Sequence, residues 1–445
     1  MVHNDGAVRF TAARARSLRK ENKENSAQES EREQKYNFAS KVKPVTIRRA
    51  LAAANTAVIG NTVDFPTLSE DDLNGTAISP AIILAGLNAE GQDVYYHLWV
   101  AVRSVIEEST GGRLSSRMVQ SAMERFVVEL GMAIYERNSG PQLTFVDPRK
   151  NDDAQAMARS AKRLMSLFRA RGMSQEKIVI SIPATEDGVA AAKELEAAGI
   201  RTNLIFIANI MHAAFCAQAG ATAISIAVGP LLLCHERKRR AAYLELALHP
   251  GIEVIQATLE YFKLHNIHTR VVGRDFRQLA ELSALSGFDA VCLSKEQLEV
   301  TRWKAETRSP DLSDRSPQAS MRARQAQHPA KFLENGSGFM SVMSAEARRM
   351  LAATVYSALG KMELQMNAIE KIVREEVAWQ LAQKTLSLEA LYDLQLRSAP
   401  PSNPPKKRKE RESGARAGSE KRRKPLADAC ERENKGGLIE GIEYF

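Results

Sequence analysis

No run in the 445 residues approaches eighteen apolar positions, which excludes a transmembrane helix. The first stretch, MVHNDGAVRFTAARARSLRK, lacks the apolar segment of a secretory signal. Cysteine is scarce. Cys216, Cys234, Cys292 and Cys430 lie far apart and form no CxxC pair, which argues against a structural zinc site or a disulfide framework and suits a reducing compartment. No GxGxxG follows a strand-like run, so a dinucleotide-binding sheet is disfavoured. His265 and His268 have i, i+3 spacing, but no carboxylate cluster accompanies them. Neither a metal nor a cofactor is expected.

What is present is a globular composition, 44% apolar and 26% charged. The net charge of +9 is concentrated at the ends. Residues 1–50 hold 12 Lys+Arg against 6 Asp+Glu, and residues 400–445 hold 12 against 8, so the body between them is close to neutral. The basic balance therefore makes nucleic acid a candidate partner only through the termini.

Between residues 51 and 300, short β-rich runs alternate with Ala-rich stretches of helical spacing. The runs are Thr56–Ile59, Leu143–Val146, Ile178–Ile182, Asn203–Ile207, Ala223–Val228, Thr269–Val272 and Ala290–Leu293. Stretches such as DAQAMARSAKRLMSLFRARG and EDGVAAAKELEAAG lie between them, each closed by glycine. This alternation predicts parallel βα units of the α/β class, and about 250 residues of it suit a closed (β/α)8 barrel. Residues 1–50 are expected to form a disordered extension, 301–338 an irregular loop or insertion, and 339–398 C-terminal helices packing on the barrel. In the last of these, Leu351, Val355, Leu359, Met362, Met366, Ile369, Val373 and Val377 recur at helical spacing.

Residues 399–445 read as a disordered basic tail. Lys406, Lys407, Arg408 and Lys409 form one basic cluster, and Lys421, Arg422, Arg423 and Lys424 a second. The pair resembles a bipartite nuclear-import signal, which makes an import receptor an expected partner and nucleus or cytoplasm the expected location. The rival reading is a salt-sensitive arm that grips phosphates.

The centre of the chain reads KIVISIPATEDGVAAAKELEAAGIRTNLIFIANIMHAAFCAQAGATAISIAVG, followed later by VVGRDFRQLAELSALSGFDAVCLS. The order of the GVAAAKELEAAGI, NL, AGATAISIAVG and VVGRDFR segments resembles the transaldolase family over roughly residues 55–300. The resemblance implies a class I aldolase barrel that moves a dihydroxyacetone unit between sugar phosphates through a lysine Schiff base. At the position of that lysine this sequence has Ser181, and a hydroxyl cannot form an iminium.

Other family positions change in the same direction. The acid/base aspartate falls on Asn61, the asparagine of the T-N-P turn on Ser79, the water-activating glutamate on Phe145, and the threonine after NL on Ile205. One phosphate-binding arginine falls on Pro230, while Arg277 and Ser225 are retained as substrate-binding residues.

Two lysines are weighed as replacements. Lys177 shares strand parity with Ser181 and is expected inside the barrel, but roughly 13 Å towards its bottom. Lys295, just beyond the run Ala290–Leu293, is expected near the rim and is the better candidate. His235 to Arg240 (HERKRR) is expected near the same rim, where with Arg277 it would form an anion site; the alternative is a solvated helix start.

The expected function is a transaldolase-like barrel without Schiff-base aldol transfer, serving as a ligand-binding or interaction module for a sugar phosphate or another anionic small molecule. The alternative is an active transaldolase-type enzyme of the pentose phosphate pathway using another lysine.

Overall fold

A computed structural model of the chain describes residues 45–398, except 71, 90–92, 110–112, 240–242, 244, 307–315 and 328–337. The expected disordered ends, including both basic clusters of the tail, lie almost wholly outside the described residues. Among the described residues no helix is long and apolar enough to cross a membrane.

Eight parallel strands close into a barrel in sequence order: β1 Ala57–Gly60, β2 Gly75–Ala77, β3 Gln142–Phe145, β4 Ile178–Pro183, β5 Thr202–Ile205, β6 Ala223–Ala227, β7 Arg270–Arg274 and β8 Ala290–Leu293. Closure is made by β1 on β8, with Ala57 opposite Ala290 and Gly60 opposite Leu293. The (β/α)8 barrel is the architecture that the alternation predicts. The strand absent from the sequence reading is β2, three residues long and enclosed by Asn74 and the Ser79–Pro80 turn.

The surrounding helices include α1 Pro80–Asn88, α2 Asp93–Glu108, α3 Ser116–Tyr135, α4 Ala154–Ala170, α5 Glu186–Ala197, α6 Ile210–Gln218, α7 Val228–Arg239, α8 Pro250–Leu264 and α9 Lys295–Trp303. Several starts are capped by side chains read directly from the sequence. Asp153 accepts from the Ala156 N–H, Thr185 from Gly188, and Ser294 with Gln297 forms a capping box.

Two boundaries differ from the sequence reading. Residues 45–50, expected within the N-terminal extension, belong to the fold, because Ile47, Ala50 and Leu51 form the buried face of a helix spanning Ile47–Ala53. The stretch expected to be irregular from 301 carries the end of α9 and a helix at Pro317–Gln325, whose Ala319 and Ala323 are buried. That helix packs against α8.

The long helix α10, Ala345–Ser398, packs against α1, α2, α3 and α7, lying along one side of the barrel mouth. Leu351, Val355, Leu359, Met366, Ile369, Val373 and Val377 are buried, as their spacing predicts. Arg149 ties this helix to the end of β3: it pairs with Asp147 at 2.7 Å and donates to Asn367 at 2.9 Å and Glu370 at 2.6 Å.

Ahead of α10, Phe339 is fully buried against His212 and Phe215 of α6, with ring centroids 5.3 and 5.5 Å away. The His212 Nδ1 accepts from the Ala208 N–H, and its Nε2 lies 2.8 Å from the Ala184 carbonyl, so the neutral ring donates there. Burial, opposed by the Ala184 hydrogen bond, pushes its pKa down to about 4.

The unfolded chain takes up a proton near pH 6.5 while the folded ring stays neutral. The stability from this residue is therefore complete above that pH and lost as pH falls towards about 4. Urea unfolding is expected to show about 2 kcal/mol lost between about pH 6.5 and pH 5 from this group. In His212→Gln the pH dependence should be flatter by that amount, and an unchanged slope would contradict the assignment.

Candidate functional site at the barrel mouth

Alternation along the strands decides which side chains face inward. Ile59, Ala77, Leu143, Val179, Ala223, Val272, Ala290 and Cys292 form one buried cluster inside the barrel. Two residues further along the same parity stand Asn61, Ser79, Phe145, Ser181, Ser225 and Arg274, with Asn203 and Ile205 on β5 between them. The sequence-selected positions are thus drawn from six different strands or strand ends to one end of the barrel. That is the end formed by the C-terminal tips of the strands, where the βα loops of this fold build sites.

Asn61, Ser79, Phe145, Ser181, Ile205, Pro230 and Arg277 all line one cavity of about 460 Å³. At its base the Ser181 hydroxyl accepts from Asn203 Nδ2 at 3.2 Å, and Asn203 Oδ1 accepts from Ser225 at 2.8 Å. All three residues are buried, so a continuous polar chain crosses β4, β5 and β6. Ser225 belongs to this supporting chain and is not among the residues lining the cavity. Asn61 Oδ1 is buried without a hydrogen-bond partner. Phe145, Ile205 and Phe206 make part of the wall apolar.

The rim holds backbone strain. Phe206, just after β5, and Asp275, just after β7, have φ of 72° and 56°. Left-handed backbone is costly for a bulky residue such as phenylalanine and is tolerated where the surrounding structure over-determines it, commonly at ligand sites.

Arg277 lines the cavity with its Nε and Nη1 already engaged. Its Nε donates to Glu281 at 2.9 Å and its Nη1 to Glu236 at 2.9 Å, while Glu281 also accepts from the Arg277 N–H at 2.9 Å. Burial opposes the charge, but the two carboxylates hold the guanidinium above its ordinary pKa. Arg274 is held by Asp275 at 3.2 Å in the same way: burial disfavours its charge, and the adjacent carboxylate more than compensates.

The HERKRR run is dispersed by its helical spacing, not gathered into one anion site. Glu236 engages Arg277, Lys238 pairs with Glu346, and Arg237 lines the cavity. Arg240 lies outside the described residues.

Neither lysine weighed in the sequence enters the cavity. Lys295 pairs with Asp64 at 2.9 Å, and that hydrogen bond raises its pKa, the wrong direction for a neutral amine nucleophile. Lys177 ends a 3₁₀ turn, Gln175–Lys177, below β4, where its Nζ donates to the Ser139 carbonyl at 2.9 Å. Strand parity does not apply there, because the residue precedes the strand. Nothing in the sequence marks Lys361, which lines the cavity from α10. Arg274 also lines it, and Val272 two residues earlier signals its inward parity.

Fold and site together define a (β/α)8 barrel with a cavity at its C-terminal end. Residues 60–355 match the family described as Transaldolase/Fructose-6-phosphate aldolase, and the chain belongs to that family. It is 30% identical over 249 residues to a transaldolase of Schizosaccharomyces pombe, covering 56% of this chain and 76% of the relative. It is 32% identical over 251 residues to one from Saccharomyces cerevisiae, with 56% and 73% covered. A Bos taurus transaldolase is 31% identical over 244 residues, with 55% and 71% covered.

Proposed function

We propose that this family member binds an anionic small molecule at the barrel mouth without Schiff-base aldol transfer, Ser181 standing at the position of the family's lysine. The observation that carries the reading is the inward-facing site on β4. It holds a hydroxyl, tied into the Asn203–Ser225 chain, where the chemistry needs an amine. An iminium is the electron sink for carbon–carbon cleavage in this class, and a serine ether or hemiketal cannot replace it.

The inward residues around Ser181 support the same reading. Asn61 and Phe145 offer no carboxylate for proton transfer, and Arg277 is already paired with Glu236 and Glu281 through Nη1 and Nε. Lys361, an exposed residue of α10, is the one amine among the described residues lining the cavity. An enzyme that used another lysine would have to use this one, from outside the barrel wall.

The test is a transfer assay with fructose 6-phosphate and erythrose 4-phosphate, run beside a working transaldolase. The expected kcat lies on the order of 10⁴-fold or more below the working enzyme, as when a covalent nucleophile is removed. A rate within about tenfold of it would overturn the proposal.

A further inference from the structure

The chemistry of the cavity departs from a site built for a sugar, and the departure is graded from base to mouth. The base carries short neutral groups: the Ser181 hydroxyl, which accepts from Asn203 and retains its own hydrogen to donate, and the Asn61 Oδ1, buried and unpartnered. Phe145 stands beside Ser181 in the strand register, and Ile205, Phe206, Leu233 and Met362 extend the apolar wall. At the mouth stand Arg237 from α7 and Lys361 from α10, both exposed and, among the described residues, without a hydrogen bond or ion pair, unlike Arg274 and Arg277. A polyhydroxylated chain lying against this wall would leave desolvated hydroxyls without partners, which weakens binding. A volume of about 460 Å³ is within the usual range for small-molecule sites.

The geometry points to a ligand class other than sugar phosphates: an organic anion with an apolar, ring-sized body, its charged group held between Arg237 and Lys361 and one small polar group reaching Ser181 and Asn61. This inference rests on the reading that the barrel binds without forming a Schiff base. It narrows the HERKRR run to Arg237 and adds Lys361. The two cations come from different elements, so a carboxylate or phosphate between them would bridge α7 to α10 across the mouth, in the manner of a charge-assisted clamp.

Calorimetric titration of the full chain tests it, with 3-(4-hydroxyphenyl)propanoate and phenyl phosphate as probes and fructose 6-phosphate and inorganic phosphate as comparisons. At least one aryl anion is expected to bind about tenfold or more tightly than either comparison, and more weakly as salt is raised. Arg237→Gln and Lys361→Gln should each weaken it about fivefold or more with an unchanged melting temperature, since both side chains are exposed. Phe145→Ser should reduce the preference over fructose 6-phosphate.

Aryl anions binding no better than fructose 6-phosphate, or binding indifferent to both cation variants, would overturn the inference. The sugar phosphate with borohydride separates the two levels. A covalent adduct would overturn the non-Schiff-base reading and this inference with it. No adduct together with no aryl preference would overturn this inference alone.

Discussion

Gly188→Ala is expected to destabilise the protein by about 3 kcal/mol, the upper part of the usual range for overpacking. A β-carbon at this position would sit 1.9 Å from the backbone oxygen of Pro183 and 3.1 Å from Thr185 Oγ1. The obstacle is main chain, not the end of a flexible side chain, so relief requires moving α5 away from the end of β4. Moving it breaks the N-cap in which Thr185 accepts from the Gly188 N–H at 3.0 Å. It also displaces the strand that carries Ser181. Urea unfolding measures the loss. A change under about 1 kcal/mol would show that helix and strand are less tightly fixed than their contact implies.

Arg277→Met is expected to cost about 2–3 kcal/mol, chiefly because of what it leaves behind. Glu281 is fully buried, and its partners are the Arg277 side chain and N–H. Breaking a buried ion pair on one side costs about 3–5 kcal/mol, and the arginine, about one-third exposed, brings the value down. Glu281→Gln in the same background should recover part of the loss, because it removes the stranded charge. If Arg277→Met were stable but lost anion binding, the residue would act as a ligand group and not as the bracket between Glu236 and Glu281.

The comparison between sequence and structure follows the range of the interactions. Seven strands were legible because each is a short β-rich run closed by turn residues. The eighth, Gly75–Ala77, is too short to show a period and owes its existence to pairing with β1 and β3. Inward parity then places Asn61, Phe145 and Ser181 together. The environment of charged groups was not legible. Arg277, in the segment after β7, pairs with Glu236 from α7, and Lys295 with Asp64, 231 residues away in sequence. Lys361 lay hidden for a related reason. Spacing identified the buried face of α10, but which exposed turn meets the mouth depends on how the helix crosses the barrel.

No amine at the barrel mouth, Lys361 included, is expected to form an iminium. Incubating the full chain with fructose 6-phosphate and borohydride and weighing it intact tests this directly. An unchanged mass is expected, while an authentic transaldolase treated in parallel gains the reduced sugar phosphate. A stable adduct on this protein would contradict the account, and peptide mapping would then be expected to find it on Lys361.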